Sequence, residues 1–126
     1  MSERYVAQRR LLIERIREKG IRDLEILRAF DVVPRHEFLP QAVWHRAYED
    51  APIPIGFGQT ASQPSLQALY MQLLELRSQD RVLEIGTGSG FQTAVLAQLV
   101  QQVYSVERVR ELAVRAREIL DRKSVV

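Results

Sequence analysis

The chain has 126 residues, 46% hydrophobic and 27% charged, which is the composition of one ordinary globular domain. No apolar run approaches the ~18–20 residues that cross a bilayer, and the N-terminus is charged, so a cytoplasmic protein without a membrane segment is expected. Cysteine is absent, histidine occurs only at His36 and His45, and 18 Lys+Arg interleave with 16 Asp+Glu for a net charge of +2. That pattern disfavours a disulfide scaffold, thiol catalysis, a metal centre and nucleic-acid binding.

Residues 1–55 are expected to form a helical subdomain with a proline-rich connection. Val6, Leu12, Ile13 and Ile16 mark one face of a first helix, and Gly20 offers its stop. Asp23 can cap a second helix carrying Leu24, Leu27 and Phe30, which Pro34 ends. Pro34, Pro40, Pro52 and Pro54 then make long regular structure improbable, although a short helix near Gln41–Tyr48 is allowed. His36 and His45 read as surface or locally bonded residues, and Arg35 as either a contact for a substrate carboxylate or a helix-end salt bridge.

From Gly56 to Val126 the pattern becomes α/β. Gly56 to Pro64 reads as a loop running into a helix start. The helix that follows carries Leu66, Leu69, Tyr70, Leu73 and Leu74, an amphipathic stripe expected to be core and to end near Ser78. Next come a strand at about 82–86, a glycine turn, a helix from Phe91 to Val100, a strand at about 103–107, and a helix burying Leu112, Ala113, Ala116, Ile119 and Leu120. Strand, helix, strand, helix is the opening of a Rossmann-like parallel sheet.

The turn Gly86-Thr87-Gly88-Ser89-Gly90 puts glycines at alternate positions between strand and helix, where main chain can approach a ligand. A dinucleotide fingerprint would need its third glycine at Phe91, so the spacing departs from that of a nicotinamide oxidoreductase, the less favoured alternative. Glu107, about twenty residues on, is placed to accept the two hydroxyls of a ribose or, alternatively, is an exposed strand-end charge. Glu84 lies between Leu83 and Ile85 and needs a partner. A sulfonium-bearing ligand such as S-adenosylmethionine would supply one, and so would a water or a backbone pair. Ser62 reads either as a functional hydroxyl or as the N-cap of a helix starting at Gln63.

The run Val82-Leu83-Glu84-Ile85-Gly86-Thr87-Gly88-Ser89-Gly90-Phe91-Gln92-Thr93-Ala94, with Tyr104-Ser105-Val106-Glu107-Arg108, resembles the first two motifs of protein-L-isoaspartate O-methyltransferases. Val33-Pro34-Arg35 with Phe38, Ala47-Tyr48-Glu49-Asp50, Pro54-Ile55-Gly56 and Gly58-Gln59-Thr60-Ala61-Ser62-Gln63-Pro64 are similar to that family's own upstream pattern, so the likeness runs from about Arg9 to Asp121. The resemblance implies a class I S-adenosylmethionine-dependent methyltransferase fold and methylation of the α-carboxylate of isoaspartyl residues in damaged proteins. It implies Ser62 and Thr60 as active-site hydroxyls, and Gln59, Glu84, Gly86, Thr87, Gly88, Ser89, Gly90, Glu107 and Arg108 as cofactor-binding.

Two identifiable strands are fewer than the seven such a sheet has, so a C-terminally truncated chain is expected, with an unpaired sheet edge open to self-association. Alone it is expected to bind cofactor weakly and not to methylate. The alternative to an enzyme is a fragment serving only as a weak cofactor-binding or interaction module.

Overall fold

The computed structural model describes residues 3–122, so the outermost residues of the two expected parts, 1–2 and 123–126, lie outside the described ones. Helix α1 (Glu3–Glu18) buries Leu12 and Ile16, and packs on α2 (Leu24–Val32) and α3 (Pro64–Leu74). Asp23 caps α2 as expected, its side chain accepting from the backbone N–H groups of Glu25 and Ile26. The proline-rich stretch is not featureless: it forms two short 3-10 turns, Arg35–Phe38 and Gln41–Arg46, each started by a proline.

The segment read as a plain loop is a β-hairpin. Strand β1 (Ile53–Gly56) pairs antiparallel with β2 (Gln59–Ala61), with an irregularity in register between Pro54 and Gly56. Phe57 (φ 57°) and Gly58 (φ 69°) form the turn, both at positive φ as a tight hairpin of right-handed twist demands. The boundary expected after residue 55 therefore falls inside a strand.

The α/β part follows the expected order. Strand β3 (Arg81–Ile85) leads through the glycine turn into α4 (Phe91–Ala97), and β4 (Gln102–Val106) leads into α5 (Arg110–Arg122). β3 and β4 are parallel, with Glu84 opposite Ser105 and Ile85 opposite Val106. α4 is three residues shorter than expected, and of the predicted α5 face only Ala113 is less than buried. One contiguous core runs from Leu12 through Phe30, Phe38, Ile53 and Phe91 to Leu120, joining the helical part to the sheet.

The orientation of α3 corrects the expectation that its leucine stripe is core. Its buried side is Ser65, Gln67, Ala68 and Met71, whereas Tyr70, Leu73 and Leu74 are 56%, 69% and 63% exposed. The helix ends at Leu74, before Ser78, because Glu75 turns left-handed (φ 52°). Small and unbranched residues let α3 sit close on α1 and α2, and the leucines are left beside β3, where Tyr70, Leu74, Leu83 and Ile85 line a groove of about 180 Å³. The same side of the sheet is open: Leu83, Ile85, Tyr104 and Val106 are all at least half exposed, while Val82 and Val103 pack on the core.

Candidate cofactor and substrate site

Glu84 shows how the strand pairing builds the centre of the site. Parallel register sets it opposite Ser105 on the covered face, and α4 lays Gln92 and Thr93 over it. The Ser105 and Thr93 hydroxyls both donate to Oε1, and Gln92 Nε2 donates to Oε2 at 2.9 Å. Side chains thus supply the partner that a 5%-exposed carboxylate requires, so burial of Glu84 needs no cationic ligand. Ser105 also bonds the Thr87 hydroxyl, which ties the glycine turn to the same network.

The turn itself is closed by main chain. Gly86 and Thr87 N–H both donate to Val106 O, and Gly90 N–H donates to Thr87 O. Ser89 is buried, and its Oγ accepts from Phe91 N–H at the start of α4. At Gly90 (φ 89°) a side chain would be strained by the left-handed backbone, and an added Cβ would stand 3.1 Å from that of Ala116, close enough that the two helices would have to shift by a few tenths of an ångström.

Glu107 lies one residue beyond β4 and folds back over the turn. Its two oxygens accept Gly88 N–H and Val109 N–H, each at 2.8 Å. These backbone donors, Val109 first and Gly88 second, hold its carboxyl below the usual range and so keep it ionised. Each oxygen still has a second lone pair for a ligand hydroxyl. Below it, Thr87, Ser105, Glu107, Arg117 and Leu120 line a cleft of about 350 Å³, a volume that suits a small-molecule site. Arg108 is exposed beside it.

Gln59, Thr60 and Ser62 are exposed, and the strand paired with Gln59–Ala61 comes near the glycine turn and is bonded to α5 at Ile55. A methyl placed at Gly88 would meet Ile55 Cδ1 at 3.9 Å, and Arg115 from α5 donates to Ile55 O at 2.9 Å. No hydrogen bond among the described residues joins the three side chains to the turn directly. Ser62 is not the cap of α3, which corrects the capping alternative: Gln63 occupies that position without a side-chain bond, and Pro64 is the first helical residue. The cap comes from Asp50, whose Oδ1 accepts Ser65 N–H at 2.9 Å and whose Oδ2 is paired with Lys19. Burial pushes the Asp50 carboxyl up, but the bonds from Lys19, Ser65 and Gln63 together outweigh it and hold the group below its ordinary value.

Arg35 takes neither of its expected roles. It is fully buried, and its guanidinium donates to the carbonyls of Ala47, Glu49, Ala51 and Ser62. Burial lowers it to about 10, which leaves it charged at neutral pH. His36 is locally bonded, stacked on Tyr5 at 4.0 Å with Nδ1 2.9 Å from the Tyr48 hydroxyl, while His45 is exposed. Sequence reasoning missed the service of Asp50, Gln92, Thr93 and Ser105. For Ser105 a signal existed, because period-two alternation puts Val103, Ser105 and Glu107 on one face, where a parallel neighbour sets Ser105 against Glu84.

Among the described residues no group of three or more His, Cys, Asp or Glu could hold a metal, and no helix is long and apolar enough to cross a membrane. Residues 7–125 match the family model described as protein-L-isoaspartate(D-aspartate) O-methyltransferase. A protein-L-isoaspartate O-methyltransferase of Trichlorobacter lovleyi is 51% identical over 116 residues, 92% of this chain and 54% of the relative. That of Geobacter metallireducens is 49% identical over 117 residues, 93% of this chain and 54% of the relative. A solved protein-L-isoaspartate O-methyltransferase superposes with a TM-score of 0.83 at 35% identity, covering 94% of this chain and 39% of its own. A second solved structure, a beta-aspartate methyltransferase from Plasmodium falciparum in complex with S-adenosyl-L-homocysteine, gives 0.76 at 26% identity, covering 90% of this chain and 55% of its own. The chain spans about half the length of the curated relatives it matches. Its fold is therefore that of these methyltransferases, and the chain belongs to the protein-L-isoaspartate(D-aspartate) O-methyltransferase family.

Proposed function

We propose that this chain carries the donor-binding part of an S-adenosylmethionine-dependent carboxyl methyltransferase acting on isoaspartyl residues of damaged proteins. The observation that carries the reading is Glu107, ionised and folded over a glycine turn at the carboxyl ends of two parallel strands, beside a largely apolar cleft into which Thr87, Thr93 and Ser105 bring a few hydroxyls. Glu107 suits the ribose hydroxyls of a nucleoside-bearing donor, and the alternate glycines of Gly86–Gly90 depart from the spacing that a dinucleotide pyrophosphate needs. The family and the ligand of the second solved relative support the same choice over a nicotinamide cofactor.

When bound, the donor supplies an electrophilic methyl on positively charged sulfur. A substrate carboxylate is already ionised at neutral pH, so this chain needs no strong general base. Its residues orient and dehydrate instead. In this reading Glu107 holds the ribose, the main chain of Gly86–Gly90 with Thr87 and Ser89 forms the floor, and Arg108 borders the rim. Glu84 keeps the turn in shape through Ser105 and Thr87. Gln59, Thr60 and Ser62 line the substrate side, where the carboxylate oxygen forms its bond to the methyl carbon as the carbon–sulfur bond breaks. The elements up to and including the β1–β2 hairpin act as the scaffold of that side, and those from β3 to α5 as the donor-binding part.

A second reading, association through the sheet, has its own observation in the exposed Leu83, Ile85, Tyr104 and Val106 beside the uncovered leucines of α3. Both readings are tested by incubating the purified chain with tritiated S-adenosylmethionine and an isoaspartyl peptide, with an aspartyl peptide as control, while light scattering follows its mass. The first reading predicts donor retained on the protein, and any label passed on confined to the isoaspartyl peptide as a base-labile ester. No retention, or equal labelling of both peptides, overturns it. The second predicts a mass above that of one chain, and a monomer with normal turnover overturns it.

A further inference from the structure

We propose that Arg35 is a positioning residue that locks the Gln59–Gln63 segment to the start of α4, and so sets the spacing between the substrate side and the donor side of the site. The inference rests on the reading above that those two segments face each other across the transferred methyl.

Arg35 stands where three pieces of chain meet. Its Nη1 donates to Ala47 O at 2.8 Å and Glu49 O at 3.1 Å, and its Nη2 to Ala51 O at 3.3 Å and Ser62 O at 3.1 Å. Behind it the ring of Phe91, the first residue of α4 and immediate neighbour of Gly90, lies 5.8 Å from the guanidinium carbon. Phe91 is fixed in turn by the edges of Phe30 and Phe38. One rigid planar group therefore holds the carbonyl of Ser62 on one side and touches the residue that closes the glycine turn on the other.

Filling this volume with an apolar side chain would avoid burying a charge, but would leave carbonyls of three loop residues and Ser62 without their donor. Lysine would keep the charge and lose the fork, because its three donors on one nitrogen cannot reach four carbonyls spread around a plane. The remaining Nε–H has no hydrogen-bond partner among the described residues, so the four Nη bonds and the face of Phe91 are what hold the guanidinium.

The test compares the full 126-residue chain with R35K and R35M by residue-resolved amide hydrogen exchange and NMR. In the wild type, four carbonyl-bound Nη protons should give resolved resonances, whereas a freely rotating guanidinium gives one averaged line. In R35K, exchange of the bonded amides of Ser65 and Leu66 should accelerate at least about tenfold, the resonances of Ser62 and Phe91 should shift together, and the amides of Val82 to Ile85 should keep wild-type protection. R35M should show the same local pattern, and if it fails to fold, R35K decides alone. An averaged guanidinium line, wild-type exchange at Ser65 and Leu66, or equal acceleration over the whole chain would overturn the proposal. Titration of the wild type with S-adenosylhomocysteine tests the functional reading separately: without binding that reading fails, while the exchange comparison still decides whether Arg35 couples the two segments.

Discussion

Removing the carboxylate of Asp50 should destabilise the chain more than its place in a loop suggests. Helix α3 has no cap of its own, and Asp50, fifteen residues before Ser65, accepts that residue's N–H while its side chain is only 6% exposed. In Asp50→Ala the helix loses a cap, about 1 kcal/mol, and a buried donor is left unpaired, about 1–3 kcal/mol. Some of this is the same interaction, so a loss of roughly 2–3 kcal/mol is expected, or about 10 °C in Tm for a domain of this size. Lys19→Ala removes the ion-pair partner, but Lys19 is 52% exposed and its pair should contribute under about 1 kcal/mol. Asp50→Asn keeps an oxygen for Ser65 N–H and should recover about half of the loss. Thermal and urea unfolding followed by circular dichroism measure all three. A loss in Lys19→Ala equal to that in Asp50→Ala, or a change in Asp50→Ala within about 0.5 kcal/mol, would refute the capping argument.

Gly90→Ala should cost about 2–4 kcal/mol, from the left-handed backbone and the 3.1 Å approach to Ala116, whereas Gly20→Ala, where nothing stands within 4 Å, should cost only the backbone part, about 1–2 kcal/mol. Urea titrations that rank them the other way would contradict the packing at Gly90. Ser62→Ala should leave Tm nearly unchanged, because α3 is capped elsewhere, and lower any methyl transfer; a loss of cap size would restore the capping role. The Asp50 and Glu107 carboxyls are both held below their unfolded values. Their contribution to stability is therefore complete above the ordinary carboxylate range and is lost as pH falls through the lower folded values. Acid melts of Asp50→Asn should be less steep with pH than those of the wild type, and identical slopes would count against Asp50 as a source.

What could be read from the sequence was what local signals encode. The Asp23 cap, the α5 face and the strand–turn–helix around Gly86–Gly90 depend on neighbours within a few residues, and each stands where the pattern put it. The family resemblance is likewise matched by the family model over residues 7–125. The hairpin was hidden because Pro54 argues against a strand and because Phe57 at positive φ is a conformation that propensity disfavours. The leucine stripe of α3 misled for a different reason. Periodicity reports that a face is apolar, not that something in the same chain covers it, and here Ala68 and Met71 form the inner side. Arg35, Asp50 and the donors around Glu84 act across 8 to 31 residues, distances at which pairing is decided by the fold.

The central claim is that Glu107 and the glycine turn hold the methyl donor, and calorimetric titration of the wild type and Glu107→Ala with S-adenosylhomocysteine tests it most directly. The account predicts measurable binding by the wild type, weakened in Glu107→Ala by about 1–3 kcal/mol, the loss of charged hydrogen bonds to a ribose, with the fold intact by circular dichroism. Equal affinity in the two proteins, or binding of NADH in place of S-adenosylhomocysteine, would contradict it.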